Sequence, residues 1–153
     1  MRVIIAAVGR PRDAALAAAI ESYETRAARY WPLDIREVRE EPARSASPDV
    51  VRAREGERLA AKASGADLVV CDERGERMTS EAFARFLQDA RERARDVAFV
   101  IGGAYGVAPE LRDRAARRLA LAPWTLPHEM ARLVLAEQLY RAGTIVRGEP
   151  YHK

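Results

Sequence analysis

The apolar positions of this chain follow two periods. VIIAAV (Val3–Val8), ADLVVCD (Ala66–Asp72) and VAFVI (Val97–Ile101) are apolar at consecutive positions, which predicts strands buried on both faces of a sheet. LDIREV (Leu33–Val38) alternates apolar and polar, as a half-exposed strand does, and RRLALA (Arg117–Ala122) predicts a brief fifth strand. Between these runs the period is helical. In residues 13–30, Leu16, Ile20, Tyr23 and Ala27 recur at helical spacing behind Asp13, a capping or first-turn acid, and Pro32 ends the run. A charged helix is expected over 50–64, with Gly65 behind it as a C-cap. A third helix is expected over about 80–95, capped by Thr79 or Ser80, with Ala82, Phe83, Phe86, Leu87 and Ala90 on its apolar face.

Residues 109–116 predict a short helix, and Pro127 opens a long one to about Ala142. The remainder, GTIVRGEPYHK, reads as a polar tail with little to bury. Strands and helices thus alternate, and 153 residues suit one domain, 1–153. The expected architecture is α/β, a mostly parallel sheet with helices on both faces.

Composition narrows the chemistry. The single cysteine, Cys71, permits neither an intrachain disulfide nor a cysteine-based zinc site, and two histidines make no metal cluster, so no metal is expected. A reducing cytoplasm is the simplest setting, and no apolar run is long enough to cross a bilayer. Charge is balanced at 12 basic and 12 acidic side chains over residues 1–72, and 6 of each over 73–108. The last 45 residues carry 8 basic and 5 acidic, so the net +3 lies in that third. A polyanion-facing end and a merely arginine-coated surface are both consistent with this.

Two loops stand out. VIGGAYG (Val100–Gly106) follows a late strand and is neither G-x-G-x-x-G nor a P-loop, so nothing in it argues for a pyrophosphate. Its glycines serve either a turn with positive φ or the close approach of a bulky group. LALAPWTLPHEMAR (Leu119–Arg132) contains an apolar, proline-stiffened loop, with Thr125 as a candidate helix cap. Such a loop is buried under other chain or lines a pocket. Trp124 fits a stacking platform, a core residue or an interface anchor equally well. The segment 40–50, EEPARSASPDV, reads as a mobile surface loop or an active-site flap. The C-terminal helix carries apolar residues on more than one face, which suggests a second copy as partner, and Glu137 and Arg141 are spaced to pair.

Together these blocks resemble a known family. The VxxAVGR-like first strand, the CDERG turn, VIGGAYG, LAPWTLPHEMARLVLAEQLYRA and IVRGEPYHK are similar to the small bacterial SPOUT-class methyltransferases that modify N3 of a pseudouridine in 23S ribosomal RNA. The resemblance covers essentially the whole chain. It implies a C-terminal trefoil knot and S-adenosylmethionine bound beside Cys71, Gly102 and the loop of Leu121, Ala122, Pro123, Trp124, Thr125 and Leu126. It further implies catalytic or RNA-contacting roles for Arg132, Arg141, Tyr151 and His152, with His152 favoured as proton acceptor. The implied partners are a second copy of the chain and 23S rRNA, at helix 69, in the large subunit or the 70S ribosome, with no membrane. Two departures from the family pattern are Cys71, where leucine is frequent, and Tyr105, where Glu or Asn is frequent. Ala122 and Pro123 also stand where polar residues are common. Two alternatives within the resemblance are action on tRNA or another rRNA uridine, and a non-catalytic ribosome-associated dimer. A flavodoxin-like nucleotide binder is the alternative outside it.

Overall fold

The computed structural model describes residues 1–153, apart from the side chain of Ser45. Five strands form one parallel sheet: β1 (Val3–Val8), β2 (Leu33–Val38), β3 (Asp67–Arg77), β4 (Val97–Ile101) and β5 (Arg117–Ala120). Their order is β2-β1-β4-β3-β5. Alternation along β1 explains its continuous apolar sequence. Val3, Ile5 and Ala7 enter one core, while Ile4, Ala6 and Val8 enter the other. The first core is covered by α1 (Ala14–Ala27), α3 (Ser80–Glu92) and α5 (His128–Val146). The second is covered by α2 (Pro48–Lys62) and the short α4 (Pro109–Asp113).

Local chemistry sets most boundaries. Asp13 caps α1 by accepting from the N–H of Leu16 at 2.8 Å, and Thr79 caps α3 through Ala82 at 3.1 Å. α2 begins at Pro48, two residues earlier than expected, because Ser47 supplies a cap to Val50 and Pro48 suits the first helical turn. The expected 40–50 loop is therefore shorter, and it is tethered. Glu41 is held by Arg54 at 2.8 Å and also by Arg58.

Two expected boundaries, and the fate of the tail, change for tertiary reasons. β3 continues through the expected ERGERM turn to Arg77, because residues 76–77 return to pair with β5. α5 runs one turn past Ala142, to Val146, because Ala142, Gly143 and Thr144 are buried and Gly143 packs directly on the Tyr30 ring. The polar tail also docks instead of fraying. The Tyr151 ring packs tilted against Tyr140 with centroids 4.6 Å apart, and Glu149 accepts from the Tyr30 hydroxyl. Trp31 is fully buried with its Nε1–H donated to the Leu139 carbonyl at 2.8 Å, tying the end of α1 to α5. Among the described residues no helix is long and apolar enough to cross a membrane.

Candidate functional site

A cavity of about 490 Å³ lies at the C-terminal ends of β3, β4 and β5. This is where parallel α/β sheets hold ligands, and the volume lies within the usual range of small-molecule sites. Three stretches of chain wall it.

The first wall is the excursion of β3. Cys71 pairs with Leu119, the chain bulges out through Asp72–Gly75, and Glu76 meets Leu119 again. Asp72 closes the bulge by accepting from the N–H of Arg74 at 3.0 Å. Gly75 is required by close packing, since a Cβ there would stand 2.6 Å from the backbone of Arg118.

The second wall is the turn Gly102–Gly106. Gly103 and Gly106 form an isolated bridge, with the Gly106 N–H donated to the Gly103 carbonyl at 3.0 Å, and Gly106 has φ +79°. A Cβ on Gly102 would meet the Gly106 backbone at 2.6 Å. Gly102 lines the cavity, but its missing side chain makes room for the turn itself. The positive-φ turn expected of these glycines is present at Gly106, and the group that approaches Gly102 closely is the turn's own backbone. Tyr105, for which the sequence offers no role, sits at the cavity mouth, 40% exposed.

The third wall is the apolar loop. Leu121, Ala122, Trp124, Thr125 and Leu126 line the cavity, and Pro123 is not among the lining residues. Thr125 does not cap α5, whose N-cap is Pro127 without a side-chain bond. Its hydroxyl is instead donated to Glu73 across the rim. Trp124 is 77% exposed, which removes the core reading and leaves the platform and interface readings.

Charge enters from residues that sequence reasoning did not single out. Arg52 of α2, Arg74, and Arg112 of α4 line the cavity with Asp72, Glu73 and His128. Arg112 Nε lies 2.9 Å from Asp72 Oδ2, and the Asp72 side chain is only 6% exposed, so this pair pins α4 to the β3 bulge. Their spacing along the chain carries no signal, because they converge only through the sheet. Cys71 faces the cavity, and burial pushes its thiol up to about 12. It is neutral at pH 7, an apolar wall element and no nucleophile.

The expected catalytic residues lie elsewhere within the single chain. Arg132 is buried and bonded to Glu24 at 2.7 Å and Glu37 at 2.8 Å. Burial alone would lower its pKa, but the hydrogen bonds it donates to these two carboxylates raise it, and it ties α5 to α1 and β2. Arg141, Tyr151 and His152 do come together. Arg141 pairs with Glu137 at 2.6 Å and approaches His152 Nδ1 at 3.3 Å, and Tyr151 donates to Glu137 at 3.0 Å. His152 Nε2 is 2.9 Å from Glu81. The Glu81 carboxyl is held down at about 2, first by its own N–H, then by His152 and Thr79. None of the four lines the cavity of its own chain; the imidazole that does is His128.

Apolar groups on Ile101, Val107, Leu121 and Leu126, beside exposed backbone of the glycine turn, suit a flat heterocycle. The arginines suit a carboxylate, and Glu73 suits a diol or a cationic centre. Those are the parts of S-adenosylmethionine, so the residues fit that cofactor.

Fold and site together define an α/β protein with a cavity suited to a nucleoside-bearing cofactor at the ends of its strands. A model described as "Predicted SPOUT methyltransferase" matches residues 1–152, and the chain belongs to that family. It is an S-adenosylmethionine-dependent methyltransferase with the family's trefoil knot in its C-terminal half. The chain is 65% identical to the ribosomal RNA large subunit methyltransferase H of Gemmatimonas aurantiaca over 100% of both chains. It is 47% identical, again over 100% of both, to the protein of that name in Anaeromyxobacter dehalogenans. Among solved structures, a probable methylase family protein from Haemophilus influenzae is similar with TM-score 0.59 at 14% identity, covering 99% of this chain and 70% of that one. TrmJ from Z. mobilis gives TM-score 0.52 at 18% identity, covering 100% and 73%. At such identities these two speak for the fold alone.

Proposed function

We propose that this chain methylates N3 of a pseudouridine in helix 69 of 23S rRNA, in the cytoplasm, on the large subunit or assembled ribosome. The observation that carries this reading is the full-length 65% identity to a protein named ribosomal RNA large subunit methyltransferase H. When bound, S-adenosylmethionine supplies a methyl group already activated by the sulfonium. The chain's own work is to hold and orient. Leu121, Leu126 and the turn at Gly102 would hold the adenosyl part against apolar surface and backbone, with Cys71 at the end of β3. Arg52, Arg74 and Arg112 at the cavity would draw an anionic carboxylate or RNA phosphates. Of the proton acceptors lining the cavity, Asp72 and Glu73 are engaged by Arg112 and Thr125, and His128 or water would take the proton from N3.

We further propose a homodimer. The basic excess of residues 109–153 and the exposed Trp124 would then form part of a composite RNA-facing surface. A role for Arg141, Tyr151 and His152 in catalysis requires that they reach the cavity of a second copy, since they do not line their own. Mass analysis of 23S rRNA from a deletion strain tests the proposal. One methyl group should be missing from a pseudouridine in helix 69 and should return with the wild-type chain. Unchanged methylation there refutes it.

A further inference from the structure

Glu55 is the only carboxylate among the buried residues of the described chain, 2% exposed on an otherwise heavily charged helix. One oxygen, Oε1, accepts the backbone N–H of Glu41 at 3.1 Å. The other, Oε2, is buried and has no hydrogen-bond partner among the described residues. It stands 2.7 Å from the point where a Cβ on Gly103 would sit, with Val8 Cγ1 3.2 Å from the same point. Oε2 therefore fills the side-chain space that Gly103 leaves empty.

The neighbours on the same helical face meet the rest of that turn. Arg52 reaches the Tyr105 carbonyl at 3.5 Å, and a Cβ on Gly56 would lie 3.0 Å from the Ala108 Cβ. Positions 52, 55 and 56 have the i, i+3, i+4 spacing of one face. Above Glu55 is the glycine wall of the cavity. Beside it is the loop of Glu40 and Glu41, itself gripped by Arg54 and Arg58. Burial raises the Glu55 carboxyl above its ordinary value and Glu40 adds to the rise, while the bond from the Glu41 N–H and the nearby Arg58 oppose it. A buried polar oxygen without a partner is costly, and such exceptions are expected where geometry serves function.

We propose that Glu55 is a positioning residue for the cofactor site. It props the Gly103 peptide from below and ties the glycine wall to the loop around Glu41, so that the two segments order together. This rests on the reading of the cavity as the S-adenosylmethionine site.

The test is calorimetry with the demethylated product, S-adenosylhomocysteine, and amide hydrogen exchange without ligand, on wild type, Glu55→Ala and Glu55→Gln. Glu55→Ala should weaken binding by about tenfold or more. Its exchange should rise at both 40–43 and 103–107 while the amides of β1 keep their protection. Glu55→Gln, which keeps the volume and an acceptor for the Glu41 N–H, should bind within about threefold of wild type. Wild-type affinity in Glu55→Ala, or faster exchange in only one of the two segments, overturns the proposal. If Glu55→Ala does not fold, Gly103→Ala decides. It should weaken binding through its contact with Oε2, and Glu55→Asp/Gly103→Ala, with the carboxyl drawn back, should recover part of the loss. No recovery overturns the proposal. Failure of the wild-type chain to bind the product refutes the assignment of the cavity itself, a distinct result.

Discussion

A Cβ on Gly102 would stand 2.6 Å from the carbonyl carbon of Gly106, four residues further along the same turn. The turn closes on itself at this point, and the wall of the cavity is the outer side of that closure. Even the smallest substitution, Gly102→Ala, should therefore force the turn open. The expected loss of S-adenosylmethionine affinity is about tenfold or more, or about 1.4 kcal/mol and above, by calorimetry. Circular dichroism should show an intact fold. Wild-type affinity would mean that this turn is no part of the binding surface.

Arg112 and Asp72 join α4 to the β3 bulge through a pair that is buried on the aspartate side and one-third exposed on the arginine side. Breaking a fully buried pair costs about 3–5 kcal/mol, and the exposure here reduces that to roughly 1–3. Asp72→Asn should lower urea stability by this amount and also weaken cofactor binding, because the first wall of the cavity loses its anchor. A stability change without any change in affinity would separate the pair from the site.

The tail has more to lose than its sequence suggests. Deleting residues 148–153 removes the Tyr151–Tyr140 ring contact, the Glu149–Tyr30 bond and the contacts of Tyr151 and His152 with Glu137 and Glu81. An aromatic pair is worth about 0.5–1.5 kcal/mol beyond its area, so a total loss of roughly 1–3 kcal/mol is expected in thermal unfolding. An unchanged midpoint would show that the docked tail contributes nothing to folding.

Mixed dimers test whether the tail serves a second copy. A chain with Gly102→Leu and a chain lacking residues 148–153 should each be inactive alone. Co-expressed, they should regain a fraction of the rRNA methylation, since one cavity then meets an intact tail. Absence of any recovery, with mixed dimers present by mass spectrometry, would remove Tyr151 and His152 from action on a second copy's cavity.

Cys71 offers a pH test. Its thiol, pushed by burial to about 12, is protonated throughout the working range and ionises only as pH approaches that value. At pH 8 it should react with iodoacetamide roughly a thousandfold more slowly than a free thiol of pKa near 8.5, and at the free rate in denaturant. Fast labelling of the folded chain would contradict an apolar enclosure.

Much of this protein was determined by its sequence locally. Consecutive apolar residues in Val3–Val8 and Val97–Ile101 suffice for strands buried on both faces, and Asp13 and Thr79 act as helix caps through neighbours three residues away. Two of the three stretches that wall the cavity stood out by composition. Tertiary structure decided the rest, because its determinants lie far apart in the chain. Gly143 continues a helix because Tyr30 packs on it, and Thr125 leaves its capping role for Glu73. Arg132 serves an ion-pair network with Glu24 and Glu37, and Arg112 finds Asp72 only because the fold brings α4 against the bulge of β3. Periodicity reports which face of an element is buried. It does not report which element covers it, and the charges of this site are set by that choice.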